Sequence, residues 1–306
     1  MDVPEHYGDP AAEERFCRET VGIQEKVQHY LTVKGAKVVD FLHRLLSSEV
    51  RTLFSFEAQL SCLLNGKGKL VSAFRLFRTD DTTYVLCFGE PLRDEVVGAF
   101  TRYGVLDEIS VEPKTVPLIG AVGPSAKPLF ERTEFAEDPF QPPADPIWRV
   151  GSGEWGRLVD ESRALGGGPV GTLVADLLRI EAGVPRWGID FDGSNFPNEC
   201  GWEDALSYTK GCYIGQEVIA RMRTYGHLNK KLFRFRLPGA VEAPPGTKLY
   251  LGGKEAGWIT SSAASFLTGE RCALGYLRQT AWEPETLLAV GSAEGPEAAR
   301  ALPLKE

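Results

Sequence analysis

A thiol lies between two glycines in Lys210-Gly211-Cys212-Tyr213-Ile214-Gly215-Gln216-Glu217. The run Val218-Ile219-Ala220-Arg221-Met222-Arg223 follows and reads as helical. Glycines suit a tight backbone bend. Free amides and the positive end of a helix dipole favour a thiolate over a thiol. Lys210 would act in the same direction, which makes Cys212 the candidate reactive thiol and Lys210 its activator. The competing reading is a small buried cysteine and a plain surface lysine. Glu217 and Arg221, four apart, are spaced for an ordinary helical ion pair.

The chain that must position this motif has 306 residues, 43% hydrophobic and 25% charged, which is long enough for two or three cored domains. The net charge of -8 argues against a nonspecific nucleic-acid coat or an anionic membrane partner. Six cysteines, at 17, 62, 87, 200, 212 and 272, contain no C-x-x-C pair. With no basic, apolar leader at Met1-Asp2-Val3-Pro4-Glu5, the expected compartment is reducing cytoplasm. No apolar run approaches a membrane span. The four histidines do not pair at ligand spacing, so no protein-held metal is expected.

Residues 1–24 read as a polar arm or loose helix. Val27 to Val33 alternates like a strand, and Ala36, Val39, Leu42, Leu45 and Leu46 mark a helical face. His43 falls on the polar side of that helix and reads as solvated. Phe54–Leu64, Lys69–Arg78 and Thr83–Phe88 read as strands. Asn65-Gly66-Lys67-Gly68 is a hairpin turn between the first two. Apolar residues on both faces of 69–78 predict a sheet covered on both sides. Pro91 opens a helix that runs to Tyr103 and stops at Gly104. Strands are expected at 107–112, 116–122, 148–150 and 156–160, a Pro-rich loop at 134–146, and a helix from Gly171 through Glu181. Residues 184–205 form a long irregular connection of the kind that lines sites. Short strands at 231–237, 248–251, 256–261, 272–277 and 286–290 predict a small barrel or sandwich.

The motifs carry a resemblance. Val33-Lys34-Gly35-Ala36, Lys67-Gly68-Lys69, Arg179-Ile180-Glu181-Ala182-Gly183-Val184-Pro185 and the Lys210–Glu217 motif stand in an order similar to that of the glycine-cleavage T-protein superfamily, over roughly residues 26–290. The resemblance implies an α+β fold: a ring-like arrangement of T-protein-type subdomains, a C-terminal antiparallel β-barrel, and folate in a central opening. The implied divisions are an arm at 1–24, a first α+β subdomain at 25–113, a second at 114–227 carrying the folate and Cys motifs, and the barrel at 228–306.

Aminomethyltransferases of this superfamily carry an acidic pair on the strand after the Lys-Gly turn, one aspartate of which is essential. Ser72 and Ala73 stand at those positions here. That departure, Arg75-Leu76-Phe77-Arg78, and the cysteine in the Lys-Gly-Cys-Tyr motif resemble the YgfZ family. The resemblance implies tetrahydrofolate (or a one-carbon derivative) as cofactor and an accessory role toward iron–sulfur enzymes, tRNA-modifying ones among them, as protein clients. Glu181 matches the pterin-binding glutamate; a carboxylate can accept from the 2-amino and N3–H groups together. Its competing reading is a helix-end carboxylate, solvated or paired with Arg179. Trp187 and Tyr213 could stack on a ring or pack in a core. Arg221 or Arg223 could meet a glutamate tail, and Lys67, Lys69 and Arg75 could form a basic rim or a solvated hairpin. The alternatives are a true folate-dependent aminomethyltransferase and a non-catalytic scaffold with a vestigial pocket.

Overall fold

The computed structural model describes residues 3–89, 91–131, 147–150, 155–226 and 228–304. The fold is mixed α and β. The chain begins with α1 (Pro10–Glu19), β1 (Gly22–Lys34), α2 (Val38–Leu45), β2 (Ala58–Leu64), β3 (Leu70–Asp80), β4 (Thr83–Phe88) and α3 (Asp94–Gly104). Then come β5 (Ser110–Val122), α4 (Ala126–Glu131), β6 (Ile147–Val150), α5 (Trp155–Ala164), β7 (Gly168–Pro169), α6 (Thr172–Glu181) and α7 (Gln216–Tyr225). The last strands are β8 (Lys230–Leu237), β9 (Lys248–Leu251), β10 (Lys254–Ala264), β11 (Arg271–Arg278), β12 (Leu287–Val290) and β13 (Glu297–Leu302). Two compact units emerge, each built from separated stretches of chain: 1–27, 117–185 and 232–306 in one, 28–116 and 186–231 in the other.

The unit holding the Cys motif is built on the antiparallel ladder β2–β3–β4–β1. Asn65 makes the β2–β3 turn, its Oδ1 accepting from the amides of Lys67 (2.9 Å) and Lys69 (3.1 Å). Gly68 completes the turn at φ +72°. One face of the ladder buries Leu31, Val33, Leu63, Phe74, Leu76 and Phe88 against Phe41, Leu42 and Leu45 of α2 and Val96 and Phe100 of α3. The other buries Cys62, Leu64, Leu70 and Ala73 beneath Phe191, Ala205, Leu206, Tyr213 and Ile219. The two-sided covering read from β3 is therefore present. Each large apolar side chain so enclosed contributes about 1.5–3 kcal/mol.

In the other unit β8–β13 close into a barrel in the order β10-β11-β8-β13-β12-β9. Closure leaves no exposed edge. Phe233, Phe235, Leu249, Ile259, Leu277 and Leu288 fill the barrel. Ile180 of α6 packs with Leu232, Leu274, Tyr276 and Leu304. Gly183, at φ +71°, stops α6; a Cβ there would come within 2.2 Å of Leu304 O, so only glycine fits.

Several expectations give way. Residues 156–160 lie in helix α5, because Leu158, Val159 and Ser162 bury one side at helical spacing. The strands expected at 107–112 and 116–122 are one strand, β5, which Pro113 and Pro117 do not interrupt. Helix α3 starts at Asp94 after extended Arg93, with Asp94 and Glu95 at the positive helix end, so Pro91 lies outside it. Phe54 and Phe56 are exposed ahead of β2. Strand β13 was not legible, since its alanines are weak strand formers. His43 is buried, at 5% exposure, rather than solvated. Residues 1–24 hold an ordered helix with Glu13 and Glu14 buried. The Pro-rich stretch 134–146 lies outside the described residues.

Candidate functional site

The Cys motif is a loop clamped at both ends. On one side Ser207 N donates to Ser47 O (2.8 Å), and Ser47 Oγ donates to Ala205 O (2.6 Å). On the other, Gly215 caps α7 at φ +84°. A Cβ on Gly215 would come within 2.6 Å of Asn65 O and 3.0 Å of Gly68 Cα. A Cβ on Gly68 would in turn meet Val218 at 3.1 Å. The Lys67-Gly68-Lys69 turn and the Lys210–Glu217 motif, separate in sequence, thus meet glycine to glycine.

Cys212 is the one exposed cysteine of the six. It precedes the cap Gly215 by three residues, outside the first turn of α7, where the dipole field falls away. The ammonium of Lys210 is bound to backbone carbonyls. Its side chain is buried, and Nζ donates to Leu46 O (2.6 Å) and Ser48 O (2.8 Å) while lying 5.1 Å from the Tyr213 ring centre. Burial, opposed by Glu49 and reinforced by Arg51, lowers its ionisation to about 8. Lys210 is a buried peg that joins the motif to the end of α2. His43 is its neighbour: a Cβ on Gly211 would lie 3.5 Å from His43 Nε2. His43 Nδ1 lies 2.9 Å from Glu49 Oε1. Burial, then the Lys210 charge, lowers the histidine's ionisation.

Four of the other cysteines differ in kind. Burial pushes the thiol of Cys17 up to about 12 and that of Cys272 up to about 11, and it raises Cys62 and Cys200 as well.

Glu181 belongs to the other unit. Its carboxylate is paired, as the bland reading allowed, but with Arg18 rather than Arg179. Arg18 Nη2 lies 3.2 Å from Oε1 and 2.9 Å from Oε2. Arg179 instead bonds Asp176 Oδ1 at 2.8 Å. Arg18 was not foreseen as a site residue; its spacing of four from Glu14 is visible in the sequence, but its contact 163 residues away is not.

The remaining candidates separate. Tyr213 is buried at 7% exposure in the apolar layer over β3, its hydroxyl unpaired and its ionisation raised by burial. Of the two readings of this ring, the packing one describes its surroundings. Trp187 is half-buried, edge-on to Phe191 at 5.4 Å, with Arg93 over its ring at 4.4 Å. Arg221 pairs with Glu217 at 2.7 Å on the exposed helix face. Arg223 lies over Tyr208 at 4.2 Å and lines a cleft of about 350 Å³ with Glu49, Asp204 and Ser207. Lys69 Nζ sits 3.2 Å from the Phe196 ring centre, so it is no free rim charge. No cluster of three metal-binding side chains occurs among the described residues. No helix among them is long and apolar enough to cross a membrane.

Ser72 and Ala73 are buried, at 0% and 6% exposure, and pair across the ladder with Leu63 and Cys62. Residues 230–304 match the glycine cleavage T-protein C-terminal barrel domain. A crystal structure of glycine cleavage system aminomethyltransferase T from Bartonella henselae superposes with a TM-score of 0.81 and 17% identity, over 98% of this chain and 90% of that one. This chain has the aminomethyltransferase fold. An aminomethyltransferase of Francisella tularensis is 26% identical over 311 residues, spanning 92% of this chain and 86% of the relative. An uncharacterised protein of Haemophilus influenzae is 24% identical over 231 residues, 74% of this chain and 77% of the relative. The expected α+β fold with a C-terminal barrel is therefore correct.

Proposed function

We propose that this protein binds tetrahydrofolate, or a one-carbon derivative of it, and supports iron–sulfur enzymes through the Cys212 thiol, without aminomethyl transfer of its own. The observation that carries the reading is a substitution of chemistry. Strand β3 buries Ser72 and Ala73, which by the resemblance stand where the transferases carry acid, while the motif loop leaves one sulfur, Cys212, exposed. No carboxylate at 72 or 73 can act on a reacting amine.

Glu181 is the residue assigned to the folate. A half-exposed carboxylate suits a ring edge that offers an amino group and a ring N–H side by side. The folate, when bound, supplies a carrier for one-carbon units. Cys212 supplies a sulfur nucleophile, set on a loop whose clamps hold the backbone still. None of the six cysteines is joined in a disulfide, which suits the reducing cytoplasm proposed here. Iron–sulfur enzymes, including tRNA-modifying ones, are the proposed clients on the strength of the YgfZ resemblance.

Aminomethyl transfer is the second reading, favoured by the name of the Francisella relative. Two assays decide. Tetrahydrofolate-dependent release of ammonia from an aminomethyl donor is expected to be absent. Cells carrying Cys212→Ser in place of wild type are expected to lose iron–sulfur enzyme activity with the protein still folded. Measurable turnover, or normal iron–sulfur enzymes in that strain, overturns the reading.

A further inference from the structure

The carboxylate assigned to the folate already has an occupant. One amino group of Arg18, Nη2, bridges both oxygens of Glu181, at 3.2 and 2.9 Å. A ring edge with adjacent amino and N–H donors needs those same two oxygens. A guanidinium and such an edge present chemically equivalent donors to a carboxylate.

The two ends of Arg18 are held differently. Its Nε donates to Glu14 Oε1 at 2.7 Å, and Glu14 is fully buried. Glu14 is fixed in turn by Ser265 Oγ (2.9 Å) and by the amides of Phe266 (2.7 Å) and Leu267 (3.3 Å). Burial alone would raise the ionisation of Glu14. The hydrogen bonds from Arg18, Ser265 and Phe266 outweigh it and keep the group an anion. The far end is open: the Arg18 and Glu181 side chains are 36% and 45% exposed. One end is therefore an anchor, and the other is an exchangeable surface ion pair.

We infer that Arg18 is a positioning residue of the Glu181 site. It occupies the carboxylate in the free protein and yields it to a ligand bearing a paired amino and N–H edge, while Nε stays on Glu14. The inference rests on the assignment of Glu181 to the folate. It predicts that the free protein binds more weakly than its Glu181 alone would allow, because each binding event breaks the Arg18 contact first. An exposed ion pair of this kind corresponds to about a two- to fivefold change in affinity.

The test is calorimetric titration with tetrahydrofolate of wild type, Arg18→Met, Glu181→Ala and the double variant, each checked by thermal melting. Arg18→Met is expected to bind about two- to fivefold more tightly than wild type, with the gain shrinking as salt screens the wild-type pair. In the Glu181→Ala background the same change is expected to have no effect. If Arg18→Met fails to fold, Arg18→Lys takes its place. It keeps a cation for Glu14 but has one nitrogen in place of the Nε and Nη2 that serve Glu14 and Glu181 together, and it too is expected to bind more tightly than wild type. Equal or weaker binding by the folded Arg18 variant, with Glu181→Ala still impaired, overturns the role of Arg18 alone. No effect of Glu181→Ala in either background overturns the assignment of Glu181, and this inference with it.

Discussion

Replacing Lys210 by methionine separates two accounts of the Cys motif. If Lys210 is a buried peg, its charge is a liability that folding tolerates for the sake of two hydrogen bonds to Leu46 O and Ser48 O. A lysine that ionises near 8 when folded and near 10.5 when unfolded binds fewer protons in the native state between those values. Stability must then rise with pH across that window. The full contribution is about 3 kcal/mol, since each tenfold change in proton affinity corresponds to about 1.4 kcal/mol. Below pH 8 the penalty is complete, and above pH 10.5 it vanishes. Methionine has no proton to lose, so Lys210→Met removes this dependence. It also leaves two carbonyls without a donor, at about 1–3 kcal/mol each, and is less stable than wild type at high pH. Urea unfolding of both proteins from pH 7 to pH 10.5 is the assay. The stability deficit of the variant should widen with pH by roughly 3 kcal/mol, and the alkylation rate of folded Cys212 at pH 7 should be unchanged. Parallel pH curves, or a slowed Cys212, would refute the peg and return Lys210 to the thiol.

Two further outcomes are expected. Iodoacetamide at pH 8 should label Cys212 first. Thiols pushed up to about 11 or 12, as at Cys272 and Cys17, are ionised there to about one part in a thousand or less. Peptide mapping that finds any buried cysteine labelled ahead of Cys212 in folded protein contradicts this. Gly215→Ala should lower stability by about 2–4 kcal/mol, because the new Cβ meets Asn65 O and the residue must hold a left-handed backbone. An unfolding midpoint equal to that of wild type would show that the two glycine turns do not constrain each other.

Local chemistry was legible in the sequence where it is decided locally. Asn65 to Gly68 announced a turn because Asn and Gly tolerate the required backbone, and β4 and α6 lie where alternation and a closing glycine placed them. Five of the six barrel strands were readable, and β13 was not, since alanine gains its place there from packing rather than propensity. What failed was long-range. His43 sits on the polar face of α2 by periodicity, yet it is buried, with Gly211 against its ring. Lys210 stands beside a cysteine in sequence, but its ammonium reaches carbonyls 162 and 164 residues away. Arg18 and Glu181 meet across 163 residues. Tyr213 looked like a stacking platform, and its place over β3 buries it.

The most direct test of the central claim is a titration of tetrahydrofolate into the wild-type protein and into Glu181→Ala under reducing, oxygen-free conditions. Saturable binding to wild type is predicted, weakened about tenfold or more by the substitution, as expected for loss of hydrogen bonds to a charged acceptor worth ~1.5–3 kcal/mol. No binding to wild type, or equal affinity in the two proteins, would contradict it.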